Sequence, residues 1–77
     1  MNIKILGKGC KRCDALERRV RRAVDELEEE ATFEKVTDIN AIADYSVMQT
    51  PALVVNEHVK ISGRVPSTKK LKKLLSE

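Results

Sequence analysis

The sequence predicts an α/β fold in which one four-stranded mixed sheet is covered by helices, with the element order βαβαββα. Short apolar runs rich in β-branched residues alternate along the chain with segments whose apolar residues recur at helical spacing. The last two apolar runs are separated by only two residues, which is typical of an antiparallel hairpin. A right-handed crossover through the first helix would make the first two strands parallel, so the sheet should be mixed.

The size and composition of the chain limit its class. Its 77 residues leave room for one domain over residues 1–77, and a hydrophobic content of 42% is enough for one modest core. No apolar run approaches the roughly 20 residues of a membrane helix, and the apolar start is too short for a signal peptide. The net charge of +3 and the isolated aromatic residues are unlike a nucleic-acid-binding surface. We therefore expect a cytoplasmic monomer that binds neither membranes nor nucleic acid.

The first half of the chain predicts two strands and two helices. Residues 2–6 form a β-branched run that ends at a glycine-containing junction. From Cys10 onward the apolar residues lie on one helical stripe, which predicts a helix to about Glu29. Residues 32–36 predict the second strand, and Asp38 can cap a short second helix.

The second half predicts a hairpin and a final helix. Residues 52–55 and 58–62 are strands joined by Asn56-Glu57, so they should pair antiparallel. Gly63 ends the hairpin and Ser67 can cap the last helix, whose leucines face inward opposite four lysines.

The two cysteines, Cys10 and Cys13, are separated by only two residues. A bond between them closes so small a loop that the entropy estimate gives at most about 2 kcal/mol, which makes the pair a poor staple. Disulfide exchange needs an exposed thiolate and a second thiol close enough to attack the mixed disulfide. Cys10 lies at a predicted helix start, where backbone N–H groups favour a thiolate. Cys13 falls on the buried stripe and would be the resolving thiol.

Positively charged residues lie near this cysteine pair in the sequence, and the pair also allows a rival function, metal binding. Lys8, Lys11 and Arg12 add positive charge near Cys10. The rival is a metal-binding module of the small copper-chaperone type, because two thiolates can hold Cu(I) or zinc. Such domains usually carry methionine where this chain has Lys8, and they place two strands between their helices. We therefore expect no metal and no cofactor beyond a redox-active Cys10–Cys13 disulfide.

A second informative stretch is Thr50-Pro51 at the entrance of a buried apolar strand. Proline cannot donate to a sheet ladder, so it needs a structural reason such as a fixed turn or a cis bond. Together with residues 9–13, the hairpin and Gly63, this stretch resembles the thioredoxin superfamily, specifically its small glutaredoxin-sized members from archaea and bacteria. The resemblance covers essentially the whole chain, although Lys11-Arg12 replaces the Gly-Pro of thioredoxin.

The resemblance implies both a fold and a site. The fold would be a thioredoxin-like three-layer sandwich, with a cis Pro51 beside the cysteine pair. The Thr50 backbone would offer hydrogen bonds to a substrate peptide, and Gly9 and Gly63 would border the groove. Lys4 stands where thioredoxins usually keep a buried carboxylate, six residues before the first cysteine.

The whole sequence then predicts a protein-disulfide reductase in which Cys10 is the nucleophile and Cys13 resolves the mixed disulfide. Its partners would be a protein substrate that contains a disulfide and an upstream thiol/disulfide reductase that donates electrons.

Overall fold

The computed structural model describes residues 1–8 and 11–76, so Gly9, Cys10 and Glu77 lie outside the described residues. The predicted α/β fold and its element order are confirmed. The elements are β1 (Asn2–Leu6), α1 (Lys11–Glu26), β2 (Thr32–Val36), α2 (Ile39–Asp44), β3 (Ala52–Val55), β4 (His58–Ser62) and α3 (Thr68–Leu75). Within the described part of the chain, no helix is long and apolar enough to cross a membrane.

The four strands form one mixed sheet in the order β2-β1-β3-β4. The pairing of β1 with β2 is parallel and places Leu6 opposite Val36. The pairings of β1 with β3 and of β3 with β4 are antiparallel, and they align Leu6 with Ala52 and Ala52 with Ser62. The ends of β1, β2 and β4 and the start of β3 therefore lie together at one end of the strands, which is called the site edge below. The opposite end of the strands, which holds the β3–β4 turn, is called the hairpin edge.

Strand alternation sends side chains to two different cores. Ile3 and Ile5 on β1 pack with buried residues of α1 and α3 on one face of the sheet. Leu6 packs on the other face against Ile42 of α2 and against Val54 of β3. Helices thus cover both faces of the sheet, which gives the three layers that the resemblance implies.

The sequence prediction for the end of α1 is wrong by three residues. The helix ends at Glu26 rather than at about Glu29, because Glu28 takes a left-handed conformation with φ of 56°. The N–H of Glu29 then donates to the carbonyl of Val24, and the N–H of Glu28 donates to that of Asp25. This is the Schellman pattern, which usually employs glycine. No glycine marks the position in the sequence, so the stop could not be seen there.

The predicted helix caps are confirmed. The Asp38 carboxylate accepts a hydrogen bond of 3.0 Å from the backbone N–H of Asn40 at the start of α2. The Ser67 hydroxyl accepts one of 3.3 Å from Lys70 at the start of α3. Each cap satisfies a backbone donor that the first turn of a helix leaves without a partner.

Candidate redox site

Cys13 lies in the first turn of α1, at the site edge. Its side chain is 3% exposed, because it continues the apolar stripe that carries Leu16 and Val20 into the core. The predicted burial of the Cys13 thiol is therefore confirmed. Cys10 lies outside the described residues, and it immediately precedes Lys11, the first residue of α1. The role of Cys10 as the exposed nucleophile therefore stays a prediction, as does any contribution of Gly9.

Gly7 brings three segments together at this point. Its N–H donates to the carbonyl of Val36 over 3.0 Å, which continues the parallel pairing past the end of β1. A methyl group at Gly7 would overlap the Sγ atom of Cys13 and would lie 3.7 Å from the Cβ of Thr50. Only a residue without a side chain allows the Cys13 sulfur to approach the chain this closely, whereas the distance to Thr50 is an ordinary contact. In the sequence Gly7 is recognisable only as part of a loop junction, so this role was not predicted.

The Thr50–Pro51 peptide bond is cis, as the resemblance implies. Pro51 is fully buried and Thr50 is exposed, so the backbone at Thr50 remains accessible beside Cys13. The carbonyl of Pro51 accepts a hydrogen bond of 2.8 Å from the N–H of Gly63. This bond attaches the end of β4 to the start of β3.

Gly63 is the second position at this edge that requires glycine. Its φ is +75°, in the region that residues with a side chain rarely adopt. A methyl group there would overlap the Oε1 atom of Gln49 and would lie 3.0 Å from the Cβ of Gln49. Gly63 therefore leaves room beside the loop that carries Thr50.

The basic residues predicted near the cysteines have different surroundings. The Nη2 atom of Arg12 donates to the carbonyl of Gly63 over 2.8 Å, which ties the start of α1 to the β4–α3 loop. Lys8 and Lys11 are exposed. The structure thus brings Lys8, Lys11 and Arg12 to the same edge as Cys13, and it gives Arg12 a positioning contact that the sequence did not predict.

An open apolar groove borders this edge on the side of α2. It encloses about 250 Å³ and is lined by Lys8, Ile39, Ile42, Ala43, Val47, Met48 and Thr50. Met48 is 94% exposed and Ile39 is 61% exposed, which is unusual for apolar side chains of this size. This groove was not predictable from the sequence, because Ile39 and Met48 belong to different segments with no shared pattern.

Lys4 replaces the expected carboxylate with a cation that has partners of its own. Its Nζ lies 2.8 Å from Oε1 of Glu57 and donates to the hydroxyl of Tyr45 over 2.8 Å. The Tyr45 hydroxyl in turn donates to Oε2 of Glu57 over 3.0 Å. The hydrogen bond to Glu57 raises the pKa of Lys4, and the bond from Lys4 lowers the pKa of Glu57. The charge of Lys4 is therefore engaged with the hairpin edge.

Comparison with known proteins gives consistent results over nearly the whole chain. A protein-family model described as a thioredoxin domain matches residues 1–76. The chain is 42% identical over 76 residues to a thioredoxin of Methanothermobacter thermautotrophicus, with 99% of each chain covered. It is 37% identical over 73 residues to a thioredoxin of Methanocaldococcus jannaschii, covering 95% of this chain and 84% of that relative.

Proposed function

Since the chain belongs to the thioredoxin family and has a thiol–disulfide oxidoreductase role, we propose that it reduces disulfides of other proteins through Cys10 and Cys13. The reaction would take place in the cytoplasm. The observation that carries the proposal is the convergence of the buried Cys13, the exposed Thr50 and the cis Pro51 at one edge of the sheet. Two thiols of this spacing match the requirement for intramolecular resolution of a mixed disulfide.

The proposed reaction balances without a metal or another cofactor. The Cys10 thiolate attacks one sulfur of the substrate disulfide, and the other substrate sulfur leaves as a thiolate that takes up a proton. Cys13 then loses its proton and attacks the Cys10 sulfur, which releases the second substrate thiol. The substrate gains two electrons and two protons, and the protein is left with a Cys10–Cys13 disulfide. An upstream thiol/disulfide reductase would supply the two electrons that restore the dithiol.

The burial of Cys13 supports the division of labour between the two thiols. At 3% exposure, its sulfur is far less accessible to a large external disulfide than a surface thiol would be. It can still attack the Cys10 sulfur once that sulfur is bonded to the substrate, because Cys10 is only three positions away in the chain. Lys8, Lys11 and Arg12 would stabilise the Cys10 thiolate electrostatically.

The substrate would bind along the exposed backbone at Thr50. Thr50 and Gly63 frame the edge, and the cis Pro51 buries its ring beneath it. The apolar groove beside Thr50 has the size and lining to receive an apolar side chain next to the substrate disulfide. The comparisons do not favour the alternative of a metal-binding module, since both relatives are named thioredoxins.

The test is reduction of insulin disulfides with a dithiol reductant, using the wild type, Cys10→Ser and Cys13→Ser. We expect both variants to fall to the uncatalysed background, because each lacks one sulfur of the pair. Only Cys13→Ser should accumulate a covalent adduct with the substrate, detected by its mass and released by reductant. The double variant Cys10→Ser, Cys13→Ser is the control for non-specific adducts. Full activity in Cys10→Ser, or trapping by Cys10→Ser in place of Cys13→Ser, would contradict the proposal.

A further inference from the structure

Four exposed cations at the site edge form no ion pair with a carboxylate of the described chain. Lys8, Lys11, Arg12 and Arg64 are all exposed. None of the four lies within 4.0 Å of a carboxylate among residues 1–8 and 11–76. Among the other cations of the described chain, five pair with carboxylates and six do not; the paired ones are Lys4, Arg21, Arg22, Lys35 and Lys72.

These four cations surround the candidate redox site. Lys8 lines the groove together with Thr50, and Lys11 begins α1 beside the cysteine pair. Arg12 holds the carbonyl of Gly63 at 2.8 Å, and Arg64 is the next residue along the chain. Two acidic residues near these cations, Asp14 and Asp38, have other partners. Asp14 lies 3.4 Å from the ammonium of Lys35, and Asp38 caps α2.

Carboxylates gather at the hairpin edge. Asp25 precedes the end of α1, and Glu28, Glu29 and Glu30 follow it in the connection to β2. All four are exposed. The carbonyl of Glu30 lies 3.3 Å from the N-terminal ammonium of Met1, which places this connection beside the start of β1. The hairpin edge nevertheless holds charges of both signs, since the N-terminal ammonium and Lys72, which pairs with Glu26, lie there too. The four cations of the site edge have no carboxylate within 4.0 Å in the described part of the chain.

We propose that the site edge recognises partner proteins whose reacting disulfide is flanked by carboxylates. The proposal rests on the proposed function and names the substrate class for the same site. Four cations without carboxylate partners attract an acidic surface and repel a basic one. Charge at a rim acts mainly on the association rate, which depends strongly on ionic strength.

The test uses three synthetic peptides of one length, each with a single internal disulfide flanked by two Glu, two Gln or two Lys residues. The second-order rate constant for reduction by the reduced protein is measured in a single turnover. Each value is divided by the rate with a small uncharged dithiol, which removes intrinsic differences between the disulfides. At an ionic strength of about 0.01 M we expect the acidic peptide to react about tenfold faster than the basic one. At about 1 M the difference should shrink to about twofold or less.

Reversing the charge of single residues shows which part of the surface causes the difference between the acidic and basic peptides. Arg64→Glu should lower the ratio of the acidic to the basic rate about threefold or more at low ionic strength. Lys73→Glu is the matched control, because Lys73 is exposed in the last turn of α3, next to Lys72, which contacts Glu26 at the end of α1. It makes the same change of net charge far from the site edge and should leave most of the ratio intact.

The outcomes separate this inference from the proposed function. If all three peptides are reduced at equal normalised rates at low ionic strength, the inference is wrong while the reductase activity stands. An equal effect of Lys73→Glu and Arg64→Glu would also overturn it, since net charge rather than the site edge would then govern the rates. If no peptide is reduced, including the uncharged one, the proposed function fails and the inference fails with it.

Discussion

The two faces of the sheet are covered unequally. On the face of α1 and α3, eleven buried residues form one apolar cluster in the described chain, whereas the face of α2 has a cluster of four. The larger cluster includes Leu16 and Leu71 at 0% exposure, and Ile42 of α2 remains 8% exposed. Most of the hydrophobic stabilisation therefore comes from the α1/α3 face.

The smaller face combines polar contacts with an open groove. Lys4, Tyr45 and Glu57 link β1, the end of α2 and the hairpin turn through mutual hydrogen bonds. Toward the site edge, Ile39 and Met48 are left exposed beside the groove. The α1/α3 face therefore holds the larger buried core beneath Cys13, while the α2 face leaves apolar side chains exposed beside the site edge.

The largest expected change is the loss of stability when a side chain is truncated in either of the two cores. Leu71→Ala, on the α1/α3 face, should lower the free energy of unfolding by about 3–4 kcal/mol, because it opens a cavity in the fully buried cluster. Ile42→Ala, on the α2 face, should cost about 2 kcal/mol, since its partly exposed surroundings can relax. Urea unfolding followed by circular dichroism measures both values. A larger loss for Ile42→Ala than for Leu71→Ala would reverse the comparison.

The second effect concerns the site edge, where both faces end. Gly63→Ala should destabilise the protein by about 1–2 kcal/mol, because φ of +75° is unfavourable for alanine and its methyl group meets Gln49. Combining it with Gln49→Ala removes the overlap with Oε1 and should recover part of the loss, while the close contact with the Cβ of residue 49 and the unfavourable φ remain. Urea unfolding of the single and double variants measures the part that comes from the Gln49 side chain beyond its Cβ. A neutral Gly63→Ala variant would show that the loop readily adopts another conformation.

The smallest effect probes the polar contacts of the α2 face through pH. The pKa of Glu57 is lowered by its hydrogen bond from Lys4. Its ionised form therefore stabilises the fold at pH values above the unfolded pKa of about 4.3, and this contribution is lost as pH falls through the lower folded pKa. Glu57→Gln should thus be less stable than the wild type at pH 7, and the difference should shrink as the pH falls below about 4.3.

The control for this titration is Glu34→Gln. Glu34 is an exposed carboxylate on β2 that forms no ion pair within 4.0 Å in the described part of the chain. Its substitution should leave the pH dependence of unfolding close to that of the wild type. If Glu57→Gln shows the same pH dependence as the wild type, the pairing with Lys4 contributes nothing to stability.

Prediction from the sequence succeeded where the determining contacts are local. All four strands begin and end where their β-branched runs begin and end, and Asp38 and Ser67 cap their helices as predicted. The burial of Cys13 followed from its position on the same helical stripe as Leu16. The end of α1 was misplaced, because Glu28 adopts a conformation that the sequence marks with no glycine.

The candidate site was predictable only in part. Thr50, Pro51 and Gly63 were singled out through their resemblance to a known family, and the structure brings them together at the site edge. The importance of Gly7 was missed, because it depends on how closely the Cys13 sulfur packs on this turn, with Thr50, 43 positions away, at an ordinary contact distance. Contacts between such distant positions leave no periodic pattern in the chain.

The order of the elements, the two helix caps and the face of α1 that carries Cys13 were predictable from the sequence, because backbone propensity and apolar periodicity act over a few residues. The relative positions of the four site-edge cations, the partners of Lys4 and the opening of the apolar groove are seen only in the folded chain. Those features depend on how the parallel and antiparallel pairings bring the ends of β1 and β4 beside the start of β3. Strand register and helix packing, rather than local preference, set such distances.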